Sequence, residues 1–98
     1  MNEESEWIIE TGGLAHEFGI SKRTVNRLVN EINLHPYLTN NYRRAFYRPH
    51  LATMVECIYF ADNKLRASTL ATIFNRVFGN QKLTQKDFRR VGGRWVMR

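Results

Sequence analysis

The sequence predicts a mainly α domain with one small β-hairpin. Three observations predict it: two short helical segments closed by a tight turn near residue 20, strand-like patterning after Pro36, and two amphipathic stripes between Pro49 and Gly79. With 98 residues and 43% hydrophobic content, the chain suits one core. It carries no internal repeat, low-complexity tract or linker, so residues 1–98 are read as a single domain.

Trp7-Ile8-Ile9 is a short apolar run, either a brief strand or the approach to a first helix capped by Thr11. The helix pair occupies about 12–32. Ala15 is small where a second helix must cross closely, and Gly19 stands where the first helix must end in a left-handed conformation. Ser21 is a natural N-cap for a second helix from about Lys22 to Ile32, in which Val25 and Leu28 recur at helical spacing to pack on Leu14 and Phe18. With Val29 and Ile32 also turned inward, Lys22, Arg23, Asn26, Arg27 and Asn30 are left outside. Asn33 and Pro36 mark the break after it.

The pattern then changes period. Tyr37-Leu38-Thr39 and Tyr42-Arg43-Arg44-Ala45-Phe46-Tyr47 read as two strands around an Asn40-Asn41 turn, a hairpin wing over about 35–47. Pro49 opens a third helix, about 49–61, with Leu51, Met54, Val55, Ile58 and Tyr59 on one face. Ser68 caps a fourth, about 68–78, whose stripe is Leu70, Ile73, Phe74, Val77 and Phe78 and whose stop is Gly79-Asn80. Thr84-Gln85-Lys86-Asp87 open a short fifth helix, about 84–91, ended by Gly92-Gly93. Trp95-Val96-Met97 is open between a strand and a frayed end. The predicted fold class is therefore a winged helix-turn-helix with a small β-hairpin wing and additional C-terminal helices.

Charge narrows the partner. The formal net charge is +6, but Glu3, Glu4, Glu6, Glu10 and Glu17 stand in residues 1–20 without a Lys or Arg. Residues 21–98 hold 15 cations against four acids, a net +11. A polyanion is the economical partner, since each phosphate neutralised releases a condensed counterion. Six of the cations, Lys82, Lys86, Arg89, Arg90, Arg94 and Arg98, form a second group near the C-terminus that is expected to add phosphate contacts.

Other chemistries find no residues. His16, His35 and His50 lack a His or Cys companion at ligand spacing, so no metal and no cofactor is expected, and no small-molecule effector is evident. The acids show no acid–base pairing, and Gly12-Gly13 and Gly92-Gly93 lack the Lys-Ser or Lys-Thr of a phosphate loop, so no catalytic residue is assigned and an enzyme is not expected. No apolar run approaches the length of a membrane span and the acidic start does not resemble a secretory signal, which places the protein in a cytoplasm. Cys57, among Val55, Ile58 and Phe60, is expected to be a buried free thiol.

The candidate site is a surface for double-stranded DNA. Ser21, Lys22, Arg23, Thr24, Asn26, Arg27 and Asn30 lie on the helix pair, and Arg43, Arg44 and Arg48 lie on the hairpin and its exit. Arg23, Asn26, Arg27 and Asn30 are suited to base edges in a major groove, while Arg43 and Arg44 beside the turn are suited to the backbone. Tyr42, Phe46 and Tyr47 alternate with the arginines, about half of them expected to pack inward and half to reach the ligand.

In element order, residues Trp7 to about Phe78 resemble the winged-helix DNA-binding domain of the mercury-resistance-regulator (MerR-like) family and the related small phage excisionases. The matching residues are Leu14-Ala15, Phe18-Gly19-Ile20-Ser21 and Thr24-Val25, then Tyr42-Arg43-Arg44-Ala45-Phe46-Tyr47 and Leu51. The resemblance implies a second helix in the major groove and a wing on the flanking backbone, carried by Lys22, Arg23, Asn26, Arg27, Arg43 and Arg44. Such regulators usually continue into a long dimerising helix and an effector module. Here the fourth helical stripe stops near Gly79, too short for several heptads.

The expected function is thus sequence-specific DNA binding for transcriptional regulation. One alternative is an architectural factor, an excisionase or a plasmid partition or maintenance protein, that assembles in arrays and bends the duplex. Another is an adaptor that binds protein through the acidic first turn and Trp7-Ile8-Ile9. Without a coiled coil, self-association on DNA is expected to be weak, a loose dimer or array using Leu65, wing aromatics or Trp95-Val96-Met97.

Overall fold

Ile8 and Ile9 settle into a strand, β1 (Ile8–Glu10), which leads without a loop into α1 (Thr11–Phe18). The computed structural model describes residues 7–32, 34, 38–40 and 43–98, and of residues 38–40 and 43 the backbone only. Thr11 is already helical. The cap position falls on Glu10, whose side chain makes no capping bond, a correction to the expected Thr11 cap.

Leu14, Ala15 and Phe18 form the buried stripe of α1, and the helix stops at Gly19, where φ is 71°. The Ile20 N–H reaches back to the Ala15 carbonyl at 3.0 Å and the Gly19 N–H to His16 at 3.2 Å, the paired bonds of a Schellman stop. A side chain at Gly19 would be strained twice over. Besides the positive φ, an added Cβ would lie 2.7 Å from Arg76 Cδ. Ser21 then caps α2 (Lys22–Glu31), its hydroxyl accepting the Thr24 N–H at 3.1 Å, and Val25 and Leu28 are buried against α1.

After α2, strands β2 (Leu38–Asn40) and β3 (Arg43–Tyr47) pair antiparallel, with Asn40 opposite Arg43. The expected turn residue Asn40 is therefore in strand β2, while Asn41 and Tyr42 lie outside the described residues, as do Asn33, His35, Pro36 and Tyr37. β3 is the centre of a three-stranded sheet in the order β1-β3-β2, Ile9 facing Phe46 across the β1–β3 ladder. That pairing buries Ile9, Ala45 and Phe46.

A 3-10 turn, Arg48–His50, with Pro49 in its first positions leads into α3 (Leu51–Phe60), two residues later than expected from Pro49. Met54, Val55 and Ile58 turn inward. Cys57 is exposed, which corrects the expectation of a buried thiol: the helical period places it on the outer side with Thr53, Glu56 and Phe60. α4 (Ala67–Phe78) starts one residue before the expected Ser68 cap, the cap position being Arg66. Leu70, Ala71, Ile73 and Phe74 are its buried face, and Gly79 ends it.

The C-terminal segment overturns the expected fifth helix over 84–91. Thr84 and Asp87 form a reciprocal capping box, but the helix they open is a single 3-10 turn, Gln85–Asp87. Strands β4 (Phe88–Val91) and β5 (Arg94–Met97) follow, paired from Phe88–Met97 to Val91–Arg94. Gly92-Gly93 is the two-residue hairpin loop, Gly92 supplying φ 63°. Phe88 is buried and reaches Phe74 at 5.9 Å between ring centroids, so the hairpin belongs to the core. The described residues thus hold four α-helices and two small antiparallel sheets around one apolar cluster. Each large side chain fully buried there contributes about 1.5–3 kcal/mol through removal from water.

Candidate nucleic-acid interface

At about 100° per residue, the period of α2 puts Arg23 opposite its buried face, with Asn26 and Asn30 to one side and Thr24 and Arg27 to the other. Lys22, Arg23, Asn26, Arg27 and Asn30 are all exposed, and Thr24 is half-buried in the cap with Ser21, its Oγ1 2.9 Å from Ser21 Oγ. The stem of Lys22 lies over the start of α1, so close that a Cβ on Gly12 would come within 2.8 Å of Lys22 Cε. No acid stands in the first turn of α2. Cations there oppose the positive end of the helix dipole, an arrangement that costs a few tenths of a kcal/mol until an anion binds.

On one flank the helix is tied to the hairpin. Arg44 of β3 donates from Nη1 to Asn26 Oδ1 at 3.0 Å and from Nη2 to Asn30 Oδ1 at 3.2 Å. A guanidinium only donates, so both amide oxygens turn toward it and both amide nitrogens are left for an acceptor elsewhere. The sequence alone suits Arg44 to a DNA backbone. In the fold, its guanidinium instead orients two side chains of α2. Arg43 is the first residue of β3, and its side chain is outside the described residues. Arg48 pairs with Glu17 at 2.9 Å, joining the exit of the hairpin to α1. An exposed pair of this kind contributes at most about 1 kcal/mol.

On the other flank α2 borders the chain that leads into α4. A shallow groove of about 390 Å³ runs along Arg23, Thr24, Arg27, Asn30 and Glu31. It continues into a notch of about 260 Å³ lined by Thr24, Arg27, Lys64, Leu65, Arg66 and Thr69. Lys64, Arg66 and Thr69 were not among the residues singled out from the sequence. The available signal was the alternation Lys64-Leu65-Arg66, which in extended chain sends both cations to the side opposite the apolar residue.

Three of the six C-terminal cations are committed to structure. Arg90 donates to the carbonyls of Asn63 and Gly93 at 2.8 and 3.0 Å and lies 4.2 Å from the Trp95 ring centre. Arg94 lies over Tyr59 and Phe60, and Arg98 donates to the Phe88 carbonyl. Arg76 is likewise engaged, donating to the His16 and Glu17 carbonyls at the end of α1. Lys82, Lys86 and Arg89 remain exposed.

The other proposed contacts are also rearranged. Ile9 is buried and Ile8 half-buried in β1, so of the run Trp7-Ile8-Ile9 only Trp7 is exposed, its ring 5.9 Å from Tyr47. Leu65, expected as a contact between copies, is inside the core, and Trp95 is half-buried with its indole N–H on the Leu65 carbonyl. Phe46 is core and Tyr47 is half-buried against Trp7 and His50.

Among the described residues no three His, Cys, Asp or Glu side chains are grouped as a metal ion would need, and no helix is long and apolar enough to cross a membrane. No protein-family model matches the chain, and neither a curated protein nor a solved structure matches it significantly.

Proposed function

We propose that the protein is a sequence-specific double-stranded DNA-binding module of the winged helix-turn-helix kind, serving transcriptional control. In this reading α1 and α2 are the helix-turn-helix, α2 enters the major groove, and the β2–β3 hairpin is the wing. The observation that carries it is the exposed face of α2: Lys22, Arg23, Asn26, Arg27 and Asn30 stand together there without an apolar side chain among them. The dimensions agree, since an α-helix about 10–12 Å across fits a major groove about 12 Å wide.

Roles divide by position on the helix. Arg23 faces straight outward and suits guanine. Asn26 and Asn30, held by Arg44, offer amide donors to base acceptors such as guanine O6 and N7, adenine N7 or thymine O4. Arg27 leans toward the notch and reaches both a base edge and a phosphate. The adaptor alternative keeps Trp7 exposed from its apolar run, while Ile8 is half-buried and Ile9 buried in the β1–β3 ladder.

Selection of sites from random duplexes, followed by footprinting, tests the proposal. A recurring sequence protected in the major groove is the expected result. Asn26→Ala or Arg27→Ala is then expected to cost about 1–3 kcal/mol on the selected site and much less on random duplex. Equal losses on both would assign these residues to phosphates, and absence of any duplex binding would overturn the reading.

A further inference from the structure

We propose that the notch between α2 and the start of α4 is a built phosphate site, which holds a backbone phosphate on the strand across the major groove from the hairpin. The inference rests on the docking of α2 described above, and it adds a binding site formed by Lys64, Arg66 and Thr69 together with Thr24 and Arg27.

The lining is suited to an oxyanion. Arg27, Lys64, Arg66, Thr24 and Thr69 line about 260 Å³ together with Leu65, and no carboxylate lines the notch. Glu31 and Asp62 line the neighbouring grooves, which share Lys64 and Arg27 with the notch. A lysine and two arginines surrounding one anion give charge-assisted bonds from several directions, which outlast a single exposed ion pair in salt.

The site is held rigidly from behind. Leu65 lies between the two new cations, 3% exposed, and points into the core. Its N–H donates to Asn63 Oδ1 at 3.1 Å and its carbonyl accepts the Trp95 indole N–H at 2.6 Å. Asn63 is itself buried, its amide donating to the Ile58 and Ala61 carbonyls at 3.0 and 3.1 Å. The backbone of 63–65 is thus pinned, the chain at Arg66 is extended (φ −74°, ψ 150°), and Lys64 and Arg66 are both exposed and both line the notch. Little backbone freedom is left to lose on binding, which favours a site over an incidental pair of charges.

Position completes the argument. Asn26 and Asn30 face the hairpin, whereas Thr24 and Arg27 face the notch, so α2 is flanked on both sides. A helix seated in a major groove meets a phosphate strand on each flank. The notch lies where the second strand passes.

The test uses the full chain with Lys64→Ala and Arg66→Ala combined, and with Lys64→Glu and Arg66→Glu as the stronger variant. Both residues are exposed, and an unchanged thermal transition will show that the fold is kept. The slope of log K against log salt is expected to flatten by about 0.9, the value for one phosphate contact, while preference for the selected site over random duplex persists. Duplexes with single neutral methylphosphonate linkages supply the second reading. Wild-type protein is expected to lose affinity at one linkage on the strand opposite the hairpin, and the double variant to be indifferent to it. Duplex binding with a wild-type slope and wild-type linkage pattern in both double variants would overturn the notch and leave the proposed function standing. If wild-type protein binds no duplex, both fail.

Discussion

At the scale of single residues, Arg44 shows how a neighbouring strand alters the meaning of a side chain. Read along the chain it is one of a pair of basic hairpin residues, and loss of both would flatten the salt slope by up to about 1.8. In the fold its guanidinium engages Asn26 and Asn30, so loss of Arg44 is expected to act chiefly on base preference. A double-mutant cycle measures this. Arg44→Ala and Asn26→Ala should each lower affinity for the selected site, and the double variant should lose little more than the worse single change. Strict additivity would show that Arg44 acts alone. Cys57 makes a second prediction of the same scale: on the outer side of α3 it should react with a thiol reagent in the native protein at a rate close to that of the unfolded chain, and Cys57→Ser should change stability by no more than about 0.5 kcal/mol. A thiol that reacts only after unfolding would place it in the core.

Among the elements, the β4–β5 hairpin carries the most that local reading missed. It lies beyond the helix pair and the β2–β3 hairpin, yet Phe88 fills the core beside Phe74, and Trp95 and Arg90 hold the segment that bears Leu65. Phe88→Ala is therefore expected to cost about 3–5 kcal/mol, most of the stability of a small domain, as urea unfolding will measure. A loss below about 1 kcal/mol would mean that the hairpin is only laid against the surface. Trp95→Phe keeps an aromatic ring and removes the indole N–H, so it should loosen the notch with a smaller loss of stability.

For the whole molecule, charge and shape point the same way. The basic residues meeting at α2 and the notch come from α2 and the segment between α3 and α4, while Arg76, Arg90, Arg94 and Arg98 serve the fold. On the proposed reading, affinity for duplex should therefore depend on fewer cations than the 15 Lys and Arg of the chain. Self-association also changes its candidates, since Leu65 is interior and Trp95 is half-buried. Phe60, 64% exposed, is the most exposed large apolar side chain among the described residues. Sedimentation at micromolar concentration should give a monomer without DNA. A tight dimer would mark an interface larger than the described surface suggests, and Phe60→Asp would show whether it includes α3.

What the sequence determined by itself was local. The stop at Gly19, the cap at Ser21 and the outward face of α2 depend on residues within a turn or two of one another, and short-range spacing states them fully. The stripes of α3 and α4 were legible for the same reason, though both starts moved by one or two residues and the end of α3 by one, while α4 ends at Phe78 as expected. What only the tertiary structure decided were the pairings of residues far apart in the chain: β1 against β3, Arg44 against Asn26 and Asn30, Arg76 on the end of α1, and Trp95 on Leu65. The same Thr84–Asp87 capping box opens a full helix or a single turn, and Gly92-Gly93 ends a helix or closes a hairpin. Burial of Phe88 and Trp95 against α3 and α4 selects the hairpin, because the free energy of burying two aromatic rings exceeds the small local preference for helix.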